Sequence, residues 1–259
     1  MNVLVLLKQT FDTEEKVVIK DGKVIEDGVE LVINPYDEYA VEEAVKLREM
    51  YGAEVTAVTV GASQAEKALR TALAMGVDKA VMVVSEDESA DEYTVSKILA
   101  NVAKRDSYDI VLSGYMAVDN GSAQIGPRVA EELGIPHVSG ATAIEIEGMT
   151  VKVEKDVEGE TELIESSLPI LITAQQGLNQ PRYPSLPGIM RAKKKPLERL
   201  TVKDLKMNFE EIQARTEVVD QFLPPKKEGG KVLRGDLRDQ VKELVQLLHK
   251  DMKVNKAKM

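Results

Sequence analysis

Short apolar segments alternate with amphipathic segments through the first half of the chain, and this alternation limits the possible folds. Strand-like runs lie at residues 2–7, 54–60, 80–84 and 110–113. Helical spacing of apolar residues follows each run, beginning near residues 34, 63, 91 and 124. Strands joined by helices in this way form parallel sheets through right-handed crossovers. The pattern therefore predicts an α/β fold with a parallel, doubly wound sheet and helices on both faces.

Two helix starts carry recognisable local signals. Asn34 is expected to be an N-cap, with Pro35 at the first helical position, where its missing N–H costs nothing. Ser63 and Glu66 have the spacing of a capping box, which predicts a side-chain cap on the second helix.

The second half of the chain has a different pattern. It predicts added strands at 142–147, 150–155, 163–165 and 170–174, besides an early hairpin of 17–20 and 23–25 that turns at Asp21-Gly22. From Thr201 the chain is polar, with one amphipathic helix at about 233–248. We therefore predict one α/β domain over residues 1–200 and an extension over 201–259. The extension has too little apolar content for its own core, so it is expected to lie against another surface.

Composition excludes several classes of function. The formal net charge of −10 argues against a nucleic-acid binder, which needs a basic surface. The absence of cysteine excludes thiol chemistry, disulfides and thiolate-held metal clusters, and no other metal-ligand spacing is present. The first residues read as a buried strand, and no apolar run is long enough to insert into a membrane, so we expect a cytoplasmic protein.

The segment from Gly114 to Pro127 is the strongest candidate for a ligand site. It follows a strand, contains glycines, a hydroxyl and an amide, and leads into a helix. Such a segment suits a phosphate-bearing ligand, because backbone N–H groups and a helix N-terminus attract anions. The alternative is an ordinary surface turn that caps a helix. Neither a P-loop nor a dinucleotide-binding glycine motif is present, and no catalytic residues stand out, since the two histidines, His137 and His249, are far apart.

A second unusual segment runs from Asn179 to Pro196. Three prolines between Pro181 and Pro187 stiffen it, and lysines follow its apolar residues. An apolar knob with a basic rim suits docking onto an acidic partner. The alternative is a loop whose apolar residues fold back into the protein. The predicted docking residues are Leu186, Pro187, Ile189 and Met190.

Four ordered blocks resemble electron-transfer flavoprotein beta subunits. They are the first strand at residues 3–8, the N-P-Y-D-E-Y-A-V-E-E-A run at 34–44, the R-T-A-L-A-M-G-V-D run at 70–78, and the segment 178–195. The likeness extends over about residues 1–200. It implies a sheet of the adenine-nucleotide-binding type and an electron carrier without catalytic residues of its own, in a heterodimer with an alpha subunit.

The resemblance also implies two cofactors. FAD would be held mainly by the alpha subunit, with Tyr36 and residues 11–13 approaching the flavin from this chain, although the family has an aromatic residue where Thr13 stands. AMP would be bound by this chain, with Asp119, Ser122, Gln124 and Gly126 at the phosphate end. The full predicted set is Leu6, Asn34, Pro35, Tyr36, Asp37, Val60, Gly114, Tyr115, Met116, Asp119, Asn120, Gly121, Ser122, Ala123, Gln124, Ile125 and Gly126.

The expected partners are also those of the family. Leu186 matches a leucine that enters a pocket on acyl-CoA dehydrogenases and related flavin dehydrogenases, and a quinone oxidoreductase would accept the electrons. One alternative is an electron-bifurcating relative with a second FAD in place of AMP, since residues 123–127 share its A-Q-[IV]-G-P run. Two alternatives from other classes are a nucleotide-binding stress protein and an ATP pyrophosphatase.

Overall fold

The apolar runs of the first half form adjacent strands of one large sheet, as the alternation predicts. The computed structural model describes residues 1–20, 22–25, 28–85, 89–227 and 229–252. The strands are β1 (Asn2–Leu6), β2 (Gln9–Phe11), β3 (Ile19–Lys20), β4 (Lys23–Val24), β5 (Leu31–Ile33), β6 (Glu54–Gly61), β7 (Lys79–Val84), β8 (Ile110–Gly114), β9 (His137–Glu147), β10 (Thr150–Val157), β11 (Glu160–Ser167), β12 (Ile170–Ala174) and β13 (Leu197–Thr201). The helices are α1 (Pro35–Tyr51), α2 (Glu66–Met75), α3 (Glu92–Ala103), α4 (Ile125–Leu133), α5 (Leu186–Ala192), α6 (Phe209–Ile212) and α7 (Leu237–Met252).

The main sheet has nine strands in the order β11-β10-β9-β12-β8-β1-β6-β7-β13. Every neighbouring pair from β9 to β13 is parallel, whereas β10 pairs antiparallel with both β9 and β11. The predicted α/β class is confirmed, with a mostly parallel sheet and added antiparallel strands at one edge.

Helices cover both faces of this sheet because its central strands are apolar on both sides. In β1, Val3 and Val5 pack in one core with residues of α1 and α2. Leu4 and Leu6 point to the opposite face and pack with residues of α3 and α4. A continuous apolar run is therefore what a central parallel strand requires, since successive side chains point to opposite faces.

Of the two predicted helix starts, the structure confirms the positions in the first and contradicts the side-chain cap in the second. Asn34 and Pro35 occupy the predicted N-cap and first helical positions of α1, although the Asn34 side chain makes no cap hydrogen bond. The predicted capping box is wrong: Ser63 lies inside a single 3-10 turn, and neither this turn nor α2 has a side-chain cap. Glu66 instead forms ion pairs with Arg70 and Arg199.

Among the described elements of the second half, three were not predicted, namely α5, α6 and β13. Helix α5 forms within the proline-rich segment because Ser185 caps it, accepting a hydrogen bond from the Gly188 N–H at 3.1 Å. Pro187 is tolerated there because N–H groups of a first turn have no partner inside the helix. Strand β13 pairs with β7 at the sheet edge. The predicted early hairpin is confirmed by the pairing of β3 with β4, and Asp21 of its turn lies outside the described residues.

The chain divides into two compact units, Met1–Gln221 and Phe222 onward. Residues 201–221 thus belong with the sheet, whereas the sequence pattern placed the boundary at residue 200. Helix α6 explains the difference, because Ile212 is buried and its carbonyl accepts a hydrogen bond from the Thr94 hydroxyl at 2.6 Å. Among the described helices, none is long and apolar enough to cross a membrane.

Truncating a central side chain should separate core residues from edge residues. Leu4 is fully buried, and Leu4→Ala should lower the free energy of unfolding by about 2–5 kcal/mol through lost contacts and a cavity. Leu163 on the edge strand β11 is 66% exposed, so Leu163→Ala should change it by less than about 0.5 kcal/mol. Urea unfolding of the purified chain measures both. Equal transition midpoints for the two variants would contradict this assignment of the core.

Candidate functional site

The strand order reverses at β1, in the middle of the sheet. The chain proceeds from β1 to β6 and β7 on one side and then crosses to β8 on the other. The loops that leave β1 and β8 therefore diverge at their carboxyl ends and leave a crevice between them. Open α/β sheets bind their ligands at such a reversal point.

Two buried side chains at the start of α1 fix the loop that leaves β8. The Asp37 carboxylate accepts hydrogen bonds from the backbone N–H of Lys8 at 2.7 Å and of Gly114 at 2.8 Å. The Asn34 side chain donates to the Met116 carbonyl at 2.9 Å and accepts from the Val118 N–H at 3.1 Å. Both loops of the crevice are thus tied to the first turn of α1.

Gly114 is required by this close approach. A Cβ at this position would lie 2.7 Å from the carbonyl carbon and from the Cβ of Tyr36, and it would also meet the Asp37 carboxylate. No ordinary side chain fits at such a distance, so the strand end and the helix start can only meet here at a glycine.

The segment after residue 118 turns towards α4 through two left-handed residues. Gly121 has φ 62° and Ala123 has φ 53°. The Asn120 side chain accepts a hydrogen bond from the Ser122 N–H at 3.2 Å and donates one to Glu92 on α3 at 3.1 Å. Left-handed backbone in such a turn directs N–H groups to one side, which is how anion-binding concavities form.

The N-terminus of α4 has no side-chain cap. Gln124 occupies the N-cap position, but its amide oxygen accepts hydrogen bonds from the Arg128 Nε at 3.0 Å and Nη2 at 2.9 Å. The first N–H groups of the helix are therefore left for another acceptor, and Arg128 adds a positive charge within the first turn. An uncapped helix N-terminus beside a cation suits a phosphate group.

Charged and aromatic side chains border the crevice. The Lys8 ammonium lies 2.5 Å from the Asp119 carboxylate, which connects the loop after β1 to the loop after β8. The rings of Tyr36 and Tyr115 meet edge to face, with 6.3 Å between their centroids. Both tyrosines are half-buried.

Burial strongly affects the acidity of Asp37. It raises the pKa of this carboxyl from 3.8 to about 7, against the opposing effect of the N–H donors from Lys8 and Gly114. The folded chain therefore holds a proton on Asp37 more tightly than an unfolded chain does.

The structure places most of the predicted site residues around this crevice. Leu6 and Val60 lie near the carboxyl ends of β1 and β6, and residues 34–37 form the start of α1. The predicted loop members run from the end of β8 into the first turn of α4, and Gly126 is buried against Thr173. Among the described residues, no group of three or more His, Asp or Glu side chains is placed to hold a metal ion.

Two cations of the site were not among the residues predicted from the sequence. Lys8 directly follows the first strand run, and Arg128 stands four residues after Gln124, which is the spacing at which side chains meet on a helix. Both signals were present, but each is common on protein surfaces and becomes informative only when the loop positions are known.

The proline-rich segment presents its apolar residues to solvent. Leu186 is 80% exposed, and Pro187, Ile189 and Met190 are exposed as well. Helix α5 packs on α2 through Gly188, where an added Cβ would lie 2.5 Å from the Ala74 carbonyl oxygen. The alternative in which Leu186 folds back into the protein is therefore wrong.

Comparison with known proteins decides the family. Residues 21–205 match the family described as electron transfer flavoprotein domain. The chain is 54% identical over 256 residues to the electron transfer flavoprotein subunit beta of Bacillus subtilis, covering 98% of this chain and 100% of that protein. The chain belongs to the electron transfer flavoprotein beta-subunit family. It shares 44% identity over 231 residues with the subunit beta of Syntrophomonas wolfei and 36% over 236 residues with that of Homo sapiens.

These beta-subunit matches cover nearly the whole chain. The Syntrophomonas wolfei match spans 89% of this chain and 88% of that protein, and the human match spans 89% and 91%. The predicted family is confirmed, and with it the class of electron carriers that use a flavin. The stress-protein and ATP-pyrophosphatase alternatives are not supported by these matches.

Replacing Asp37 should lower the free energy of unfolding by an amount that depends on pH. At about pH 5 Asp37 carries a proton in the folded chain, but its hydroxyl oxygen can still accept a hydrogen bond, whereas the amide nitrogen of Asn cannot. Asp37→Asn therefore leaves one of the two buried N–H groups unpaired and should cost about 1–3 kcal/mol of unfolding free energy at that pH. The pKa of Asp37 is higher in the folded chain than in the unfolded chain. The contribution of this carboxyl to the free energy of unfolding is therefore largest below pH 3.8 and is lost as the pH rises to about 7.

The measurement is urea unfolding of the wild type and the variant between about pH 5 and about pH 8, where the difference between them should narrow. Glu217→Gln, at an exposed carboxylate of the same compact unit, is the control and should show neither effect. A difference between wild type and Asp37→Asn that stays constant with pH would contradict the proposed role of burial.

Proposed function

We propose that this chain is the beta subunit of an electron-transfer flavoprotein that binds AMP in its own crevice and helps an alpha subunit to hold FAD. The observation that supports this best is the anchoring of residues 114–118 by Asn34 and Asp37 beside the uncapped N-terminus of α4. This arrangement offers a preformed anion site without any acid–base pair, which fits a nucleotide that is bound rather than cleaved.

The phosphate of AMP would lie at the segment from Ser122 to Gly126. Its negative charge matches the free N–H groups of α4 and the positive charges of Lys8 and Arg128. Asp119 would act through Lys8, since its carboxylate already pairs with that ammonium. The nucleoside would contact Leu6, Val60 and residues 34–37, as the family resemblance implies.

FAD would be shared with the alpha subunit. This chain would offer Tyr36 and residues 11–13, which lie at the end of β2 and directly after it. When bound, the flavin supplies the redox chemistry, so no side chain of this chain has to make or break a bond. Tyr36 and residues 11–13 would then help to orient the flavin and to limit the approach of water.

The C-terminal unit is proposed to contact the alpha subunit. Helix α7 exposes apolar side chains at helical spacing, namely Leu237, Val241, Leu244, Val245 and Leu248. A helix with one exposed apolar stripe gains stability when another surface covers it. This agrees with the expectation that the polar extension lies against a partner.

The nucleotide content of the complex tests the central proposal. The chain is co-expressed with its alpha subunit, and mass spectrometry identifies the nucleotides released on denaturation. One FAD and one AMP per complex are expected. Two FAD would instead favour the electron-bifurcating alternative suggested by the run at residues 123–127. A complex without any adenylate, or no complex at all, would refute the proposed function.

The exposed Leu186 is proposed to dock dehydrogenases, among them acyl-CoA dehydrogenases, with a quinone oxidoreductase as the acceptor. An apolar side chain that is 80% exposed and followed by Arg191, Lys193 and Lys194 suits an apolar pocket with an acidic rim. Solvated charges at the rim mainly affect the association rate, whereas Leu186 would supply affinity once it is buried in the pocket of the partner.

Truncating Leu186 should weaken docking and leave the cofactors in place. In the alpha–beta complex, Leu186→Ala should raise the KM for an acyl-CoA dehydrogenase about tenfold or more, since a central interface anchor is lost. Leu163→Ala, at an exposed leucine of β11, is the matched control and should have no effect. Steady-state kinetics and the flavin absorbance measure this. Loss of flavin with an unchanged KM would contradict the docking role.

A further inference from the structure

We propose that Arg182 is a positioning residue for electron transfer, because its ion pairs with Glu42 and Glu49 fix the docking segment relative to the crevice. The docking segment is defined here as residues 183–192, which carry Leu186. The inference rests on the docking role proposed above and adds the residues that hold this segment in place.

Arg182 is held by two carboxylates of α1 at once. Its Nε and Nη2 donate to the two oxygens of Glu42, each at 2.9 Å. Its Nη1 and Nη2 donate to the two oxygens of Glu49 at 2.6 and 3.0 Å, and its backbone N–H donates to Glu42 at 3.1 Å. Such double forks restrict both the position and the orientation of the guanidinium.

The burial of the carboxylates makes this arrangement obligatory. Glu42 is only 5% exposed and Glu43 only 2% exposed. A buried carboxylate without a partner is very unfavourable, so Arg182 cannot leave Glu42 without a large cost. Glu43 is bound in the same way, by Lys46 at 2.8 Å and by the Asn179 amide at 3.0 Å. Residues 179–182 are therefore fastened to α1 at two neighbouring points.

The other end of the docking segment is fastened to α2. Arg70 donates to the carbonyls of Ala192 at 2.9 Å and Lys195 at 3.3 Å. The Lys195 ammonium in turn donates to the carbonyls of Leu73 at 3.0 Å and Val77 at 2.5 Å. With both ends held, the exposed side chains of the segment are presented by a rigid support, and less conformational entropy is lost when a partner binds.

Helix α1 connects this support to the crevice. Its first turn holds the loop after β8 through Asp37, and Glu42 lies five residues further along, on the order of 7–8 Å along the axis. One helix thus sets both the wall of the cofactor site and the position of the docking segment. A partner docked at Leu186 is held at a defined place relative to the flavin.

The test uses Arg182→Lys in the alpha–beta complex, because Lys keeps the charge and loses the fork. We expect the KM for the dehydrogenase to rise about tenfold at unchanged kcat, with unchanged FAD and AMP content. Hydrogen exchange of residues 183–192 should become faster. The matched control is Arg48→Lys, on the same helix as Glu42 and Glu49, which alters an ion pair with Asp78. It should change neither the KM, nor the cofactor content, nor the hydrogen exchange of the segment.

A double-mutant cycle separates positioning from general loss of structure. If Arg182 acts through Leu186, Arg182→Lys should raise KM in the wild type and have no further effect when Leu186→Ala is present. Independent effects of the two substitutions, or a fall in kcat and flavin content, would overturn the inference. If Leu186→Ala itself leaves KM unchanged, the docking role of Leu186 is wrong, and not only the positioning role of Arg182.

A milder substitution covers the case in which Arg182→Lys does not assemble with the alpha subunit. Glu49 is exposed, so Glu49→Gln removes the charge and one acceptor of the outer fork and leaves the buried Glu42 paired. It should raise KM about two- to threefold, again only when Leu186 is present. An unchanged KM for this variant in an assembled complex, together with unchanged hydrogen exchange of the segment, would refute the inference.

Discussion

The architecture of the site depends on two buried polar side chains in the first turn of α1. Asp37 and Asn34 satisfy four backbone groups of the loops that leave β1 and β8. These loops could not pack so closely against α1 without such acceptors and donors, because an unpaired buried backbone group is costly. The same four hydrogen bonds fix both loops to one helix turn at the point where the strand order reverses.

An electron carrier needs a different site from an enzyme. The crevice provides backbone N–H groups, two cations and two aromatic rings, and none of these has to exchange a proton or form a bond with a substrate. Burial of Asp37 raises its pKa, yet both of its oxygens are occupied by Lys8 and Gly114. The perturbed acid therefore has a structural explanation, which agrees with a carrier whose chemistry belongs to its cofactor.

Two sets of exposed apolar residues have different supports. One set lies on the docking segment, which is fastened to α1 and α2 through Arg182 and Arg70. The other set lies on α7 in the second compact unit. A rigid segment suits a partner that must bind and leave repeatedly, because little conformational entropy is lost on each encounter. A long apolar stripe suits a permanent subunit contact, because obligate interfaces are larger and more apolar.

The α/β class, the central strands and the family blocks could be predicted from the sequence, because periodicity and helix starts such as Asn34-Pro35 are local properties. It did not reveal that the Asn34 side chain would leave its own helix to bind residues 116 and 118, nor that Glu42 and Arg182 would pair. Those contacts join residues far apart in the chain, so only the tertiary structure could decide them. The same holds for β13, which forms by pairing with β7, whereas α5 combines its local Ser185 cap with packing of Gly188 against α2.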